Sequence, residues 1–327
     1  MRVLVTGGAG YIGSHTAKAL ARAGHQPVVL DNLSSGHRWA VKWGPLVEGD
    51  LAHQQVLLRT LREFAIDAVI HFAGDIQVAE SVKDPRKYYW NNAVNTLRLL
   101  DVLVEEGTKP LVFSSSAAIY GAPDKVPIPE DHRLQATSPY GESKIFVERA
   151  LASYGEAYGL RSIALRYFNA CGADADGELG EAHDPESHLI PLVIQAALGQ
   201  RPYVEIYGTD YPTPDGTAIR DYIHVTDLAQ AHLRALEYLA EGGSSDAMNL
   251  GTGQGHSVRK VVAAVGRLCE GRVPVREAAR RAGDPPVLVA EVQKARRVLG
   301  WEAQHRGLDS IVESAWKWHA AHSFQSA

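Results

Sequence analysis

The sequence predicts an α/β fold, a doubly wound parallel sheet followed by a smaller C-terminal lobe, and three observations carry that expectation. Short β-branched runs, RVLVT (2–6), PVVL (27–30), DAVIHF (67–72), PLVFS (110–114) and RSIALRY (161–167), alternate with segments of helical period through the first half of the chain. These runs are apolar on both faces, as strands must be when crossover helices cover the two sides of a parallel sheet. The first run leads through a glycine-rich turn directly into a helical pattern.

The elements follow in order. Helical periods are expected over 13–23, 53–64, 92–106 and 140–158, the last started by Pro139. The segment EGDL (48–51) ends a third strand. After about residue 168 Pro and Gly crowd the stretches CGADADGELGEAHDPESH and YGTDYPTPDGTAIRD, which read as lids and pocket walls. Helical periods return at 188–199, 226–241, 257–270 and 307–321. The expected division is a dinucleotide-binding domain over 1–168, rejoined by about 213–250, and a substrate-binding lobe over 169–327. No internal repeat or low-complexity tract interrupts the chain.

Composition excludes several classes. With 45% hydrophobic and 22% charged residues, the 327-residue chain is neither disordered nor fibrous. A net charge of -5 argues against a nucleic-acid or anionic-membrane partner. Two cysteines, Cys171 and Cys269, supply neither a disulfide framework nor a Cys-based zinc site, and no metal is expected. Glycines break the apolar N-terminus and no run of about 18 apolar residues occurs, so a cytoplasmic protein is expected.

The turn VLVTGGAGYIGSHTAKAL sets Gly8, Gly10 and Gly13 in a G-x-G-x-x-G frame, and Gly7, Gly10 and Gly13 in an overlapping G-x-x-G-x-x-G frame. Between a strand and a helix, such glycines let the backbone approach a pyrophosphate and present helix N-terminal N–H groups to it. A Rossmann-type dinucleotide site follows; the alternative is an unliganded turn. Asp31 ends the second strand at the spacing where a carboxylate accepts both ribose hydroxyls and repels a 2′-phosphate. That favours NAD, while Arg38 nearby leaves NADP open, and Asp31 could instead start a turn with Asn32. Asp50 and Leu51 are expected to meet the adenine.

In SPYGESK, Tyr140 and Lys144 lie four residues apart, on one helical face. Alone the pair is a common surface arrangement. Its weight comes from Ser116, which FSSSAAIYG delivers to the carboxyl edge of the sheet, where ligands of open α/β sheets bind. A phenol of pKa near 10 must be lowered by about three units, about 4 kcal/mol, to act as a base near pH 7. One cation at about 6 Å supplies roughly 2–3 kcal/mol at an effective dielectric of 20. Lys144 therefore falls short alone, and an oxidised nicotinamide would supply the remainder.

These motifs, together with LDNLSSGH, HFAG, YYWNNAVNT, RYFNACGA, IYGTDYPTPDGTAIRDYIHVTDLA, NLGTG and RRAGDPP, resemble the extended short-chain dehydrogenase/reductase family nearly end to end. The likeness is greatest to its UDP-hexose 4-epimerase branch. It implies that Tyr140 removes the proton of the sugar 4-hydroxyl while hydride passes from C4 to NAD. Ser116 would hydrogen-bond that oxygen, and Lys144 would hold the nicotinamide ribose and depress the Tyr140 pKa. The 4-keto sugar then turns over and takes the hydride back. The resemblance also assigns cofactor contacts to Tyr11, Ile12, Asn32, Leu33, Ser35, Gly36, Phe72, Ala73, Gly74, Asn91, Ser114, Tyr167 and Phe168. Arg220 and Arg281 would anchor the substrate diphosphate, with Tyr207 near the uracil, Asp284 on the ribose, and Asn169, His188, Leu189 and Tyr222 as further contacts. A homodimer is implied, formed by the helix of Asn92 to Val104 and that of Tyr140.

Four positions depart from the family pattern. Ile76 stands where some members place a cofactor-contacting lysine, Ala118 where a threonine often contacts the sugar, and His188 where asparagine is frequent. Leu288 falls at a position that limits pocket size and hence tolerance of N-acetyl or pentose sugars. The nearest rival is a nucleotide-sugar dehydratase or decarboxylase, whose members usually carry acidic residues directly after the active-site Ser or Thr; here stand Ala117 and Ala118. A non-catalytic NAD-sensing protein would tend to lose the Ser, Tyr and Lys that this chain retains.

Overall fold

The structure, a computed structural model, describes residues 1–322 except 270 and 282. Position 270, where the expected helix 257–270 ends, and 323–327 at the end of the expected lobe lie outside the described residues. Along the first half, β1 (Arg2–Thr6), α1 (Tyr11–Arg22), β2 (Gln26–Asp31), β3 (Leu46–Glu48), α2 (Gln54–Glu63) and β4 (Ala68–His71) succeed one another. Two short helices, α3 (Val78–Lys83) and α4 (Pro85–Tyr88), then a π-helical turn at Tyr89–Val94, precede α5 (Asn95–Glu105). The helix expected over 92–106 thus starts late, because its first residues form the widened turn. β5 (Leu111–Ser116), α6 (Pro139–Tyr158), β6 (Ser162–Tyr167) and the short β7 (Asn169–Cys171) complete this half.

The second half contains α7 (Leu189–Ala197), β8 (Val204–Tyr207), β9 (Ile219–His224), α8 (Val225–Ala240), β10 (Asp246–Leu250) and β11 (Gly255–Ser257). It continues with α9 (Val258–Leu268), β12 (Val275–Ala278), β13 (Val287–Leu288), α10 (Gln293–Leu299) and α11 (Leu308–Ala321). Seven strands form one sheet in the order β10-β6-β5-β4-β1-β2-β3, every neighbour parallel. The order reverses between β1 and β4, which opens a crevice at their carboxyl ends.

The strand pleat sorts the apolar residues to two cores. Val3, Val5, Ile70, Val112, Ile163 and Leu165 face Leu20 of α1, Leu228 and Leu236 of α8, and Ala295 and Leu299 of α10. Leu4, Val69, Leu111, Phe113 and Ala164 face Leu57 and Leu61 of α2, Leu99 and Leu103 of α5, and Val147 and Leu151 of α6. Both faces are buried, which explains the lack of alternation in the sequence. A third core joins α7, α9 and α11 through Val193, Ile194, Val261, Val265, Ile311 and Val312.

The late segments are shared between the layers. α8, β10 and α10 pack on the large sheet, whereas β9 is central to a separate sheet of order β11-β9-β13 that β7 also joins. Parallel β8 and β12 form a third, two-stranded sheet. Asp221 of β9 is fully buried and accepts hydrogen bonds from the N–H groups of Thr252, Gly253 and Ala290 and from the Thr252 hydroxyl. One carboxylate thereby ties the NLGTG loop to the lobe, its charge satisfied by donors on all sides.

Candidate active site

Gly7 sits at φ +69, and a Cβ there would come within 2.6 Å of the Ala73 nitrogen, so only glycine lets β1 turn this close to the end of β4. The Phe72 and Ala73 N–H groups both donate to the Thr6 carbonyl, fixing that approach. Gly10 begins α1, whose first turn has no side-chain cap and no acidic residue, leaving N–H groups free to meet a phosphate. Tyr11 is buried and donates its hydroxyl to the Gly172 carbonyl at 2.6 Å, which joins the turn to the lobe. Ile12 packs against the core.

Asp31 is buried at the end of β2, accepting from the Ala9 and Leu33 N–H groups at 2.9 and 2.8 Å. Burial pushes its carboxyl up and those two bonds pull it back. Leu33 adopts φ +58, so the LDNLSSGH loop turns sharply around this carboxylate, with Gly36 against Ala9. Ser35 lines a small cavity with Gly10 and Tyr11. Arg38 pairs with Glu48 at the surface. This arrangement fits the diol of NAD: a carboxylate, backbone donors and no free cation among those groups.

The two expected adenine contacts, Asp50 and Leu51, lie just past the end of β3. Leu51 is buried in the core beneath the sheet, and the Asp50 oxygens are engaged by the Ala52 N–H and the Asn32 amide. The strand ends at Glu48, two residues earlier than the position of Asp50 requires for a strand-end contact. Asn91 donates to Asp75, and Gly74 lies against Asn92, whose amide bonds Asp75 and Ser143 of α6.

Ser116, Tyr140 and Lys144 are brought together. Ser138 caps α6, Pro139 opens it, and Gly141 lets its first turn lie on the Ala117–Tyr120 turn: a Cβ there would be 2.7 Å from the Ala118 carbonyl oxygen. That contact seats Tyr140 near Ser116, whose hydroxyl draws the phenol's pKa down. Lys144, 4% exposed, donates to the Ser114 carbonyl at 2.8 Å and lies 5.8 Å from the Tyr140 ring centre. Ser114 also bonds the Tyr167 hydroxyl. Phe168 is buried beside Ala117 and Ile145.

Burial acts on both ionisable groups. Burial pushes the Tyr140 hydroxyl above its ordinary value and the Ser116 bond offsets this only in part. Burial lowers Lys144 to about 8, against the pull of Glu148. The protein alone therefore leaves Tyr140 protonated. The gap to a working base is wider than the sequence suggested, since desolvation adds to the 4 kcal/mol computed for a phenol in water.

Toward the lobe, Asn169 on β7 stands exposed opposite buried Tyr222 on β9. Arg220 pairs with Asp284 and donates to the Ile219 carbonyl, while Arg281 stacks 4.0 Å above the Tyr207 ring. The Asp284 N–H reaches the Arg281 carbonyl at 3.3 Å, so these four expected substrate groups form one cluster. Leu288 pairs in register with Arg220. His188, ahead of half-buried Leu189, is held by Glu181 instead, and Ile76 is 40% exposed.

Sequence reasoning passed over a second set of residues. Arg166 of β6 and Glu148 of α6 form a buried, forked ion pair, with bonds of 3.0 and 2.6 Å. Arg166 also donates to the Tyr120 hydroxyl and the Glu130 carbonyl, and Ser115 donates to Glu148 at 2.5 Å. The clamp fixes α6 relative to β5 and β6, and hence Tyr140 relative to Ser116. An arginine inside an otherwise apolar strand was the signal available.

The fold, with its glycine turn at the switch point and the Ser, Tyr, Lys group beside the carboxyl end of β5, defines a dinucleotide-dependent enzyme of the dehydrogenase type. Residues 3–251 match the NAD dependent epimerase/dehydratase family, and the chain belongs to it. It is 52% identical over 318 residues to a UDP-glucose 4-epimerase of Rhizobium meliloti (strain 1021), covering 97% of each chain. The solved UDP-glucose 4-epimerase of Brucella ovis in complex with NAD is 54% identical with a TM-score of 0.95, covering 97% of both chains. That of Stenotrophomonas maltophila, with bound NAD and formylated UDP-arabinopyranose, is 42% identical with a TM-score of 0.94 and 98% coverage of both.

Proposed function

We propose that this chain interconverts UDP-galactose and UDP-glucose by NAD-dependent epimerisation at C4 of the hexose. The observation that carries the reading is the grouping of half-buried Ser116 with buried Tyr140 and Lys144, followed by Ala117 and Ala118 where elimination chemistry uses acids. NAD, when bound, supplies a hydride acceptor that is restored within each turnover. Tyr140 takes the 4-hydroxyl proton and returns it, Ser116 holds the same oxygen, and Lys144 supplies positive charge beside the phenol. No further acid is required, and a carboxylate beside a 4-keto sugar would promote elimination. Residues 1–168, with α8, β10 and α10, serve as the NAD domain in this reading. Arg220, Arg281, Tyr207 and Asp284 serve as the nucleotide anchor.

Incubation of the purified protein with UDP-galactose is expected to yield UDP-glucose as the only new sugar nucleotide on chromatography. A 4-keto-6-deoxy product, or no turnover with NAD present, would overturn the reading.

The same reading makes the protein a cytoplasmic enzyme of galactose metabolism and a homodimer. Tyr89, Trp90 and Phe146 stay exposed near the start of α5 and on α6, an apolar group of the kind that a partner covers. No helix among the described residues is long and apolar enough to cross a membrane. Light scattering is expected to give twice the 35.5 kDa chain mass; a monomer at micromolar concentration sinks the dimer.

A further inference from the structure

The loop between β7 and α7 carries Glu181, His183, Glu186 and His188 within eight residues, and one ligand atom from each lies within 4.8 Å of all the others. His183 directs Nδ1 to Glu181 Oε1 at 3.1 Å, and His188 directs Nδ1 to the same oxygen. Glu186 Oε1 stands 3.9 and 4.0 Å from the two imidazole nitrogens. Donors bound at about 2.0–2.2 Å in a tetrahedron lie about 3.3 Å apart, which these separations bracket.

We propose that these four side chains form a binding site for a divalent transition-metal ion of the zinc type. Both imidazoles aim inward, at one oxygen of Glu181, whose side chain is 2% exposed. Their partners are themselves oriented. The Ser187 and His188 N–H groups donate to Glu186 at 2.7 and 2.8 Å, and the Trp318 indole N–H donates to the Glu181 carbonyl at 3.0 Å. Such outer bonds are what hold metal ligands in place. The nearby Asp174, Asp176 and Glu178 group differs, because the Lys18 ammonium already fills it at 2.7–2.9 Å.

The position gives the ion work to do. His183, Ala182 and Gly180 line one small cavity with Gly10, Tyr11 and Ser35, and His37 bonds the Ala182 carbonyl at 2.6 Å. A metal would staple this loop beside the glycine turn. The inference is independent of the proposed reaction, because metal content is read without substrate.

Untagged full-length protein, stripped with a chelator and dialysed against Zn²⁺ or Co²⁺, is expected to retain one ion per chain. Co²⁺ should show the intense visible bands of a four-coordinate site. His183→Gln and Glu186→Gln are expected to weaken retention by more than the roughly 10- to 100-fold typical of losing an outer-shell partner. Native protein that holds no more metal than His183→Gln overturns the site. So do weak, six-coordinate Co²⁺ bands, a reading that stands even if a variant does not fold.

Discussion

Replacing Tyr140 by Phe is expected to lower turnover by about 10²- to 10⁴-fold while NAD stays bound, the loss typical of removing a general acid–base. The ring fills the same space against Tyr88, so only the hydroxyl and its bond to Ser116 disappear. Because burial already holds the phenol protonated, no other group at this point of the site replaces it as proton carrier: Lys144 is committed to the Ser114 carbonyl and Ser116 is an ordinary hydroxyl. The check is the initial rate of UDP-galactose conversion beside the nicotinamide released from denatured protein. Full activity would remove Tyr140 from its role, and loss of NAD would make it a structural residue.

Replacing Arg166 by Met is expected to destabilise the fold by about 3–5 kcal/mol, because Glu148 would keep a buried charge without its partner. Side chains of the pair are 7% and 9% exposed, so little water screens them. Adding Glu148→Gln to the Arg166→Met protein removes that stranded charge and should recover part of the loss. Denaturant titration of both variants measures this coupling. Strictly additive losses would mean that the pair is not a unit. The clamp also predicts that Arg166→Met lowers turnover beyond its effect on the folded fraction, since α6 carries Tyr140 and Lys144.

Much of this was legible in the residues. The glycine turn is explicit because backbone approach to Ala73 tolerates no Cβ, and a requirement on one atom leaves a mark at one position. Tyr140 and Lys144 follow from helical spacing, and Ser116 from a strand end. Leu51 was expected at a strand end, whereas β3 ends at Glu48 and Leu51 packs into the core just beyond it. The desolvation of Tyr140 depends on what packs around the ring, which no local pattern encodes. The inward-facing Glu181, His183, Glu186 and His188 group was missed because a loop's conformation is set by what it lies on.

By itself, then, the sequence determined the alternation of strands and helices, the glycine turn between β1 and α1, and the placing of Tyr140 and Lys144 on one helical face, all of which depend on near neighbours in the chain. Only the tertiary structure decided how α8, β10 and α10 return to the first sheet, how Arg166 and Glu148 lock α6, and how Arg220, Asp284, Arg281 and Tyr207 meet. Such long-range pairings join Arg161 and Leu239, 78 positions apart, Asn249 and Ile128 at 121, and Tyr11 and Gly172 at 161. Partners so distant are selected by the packing of whole layers, where burial makes each polar group find a mate, and spacing along the chain carries no record of that choice.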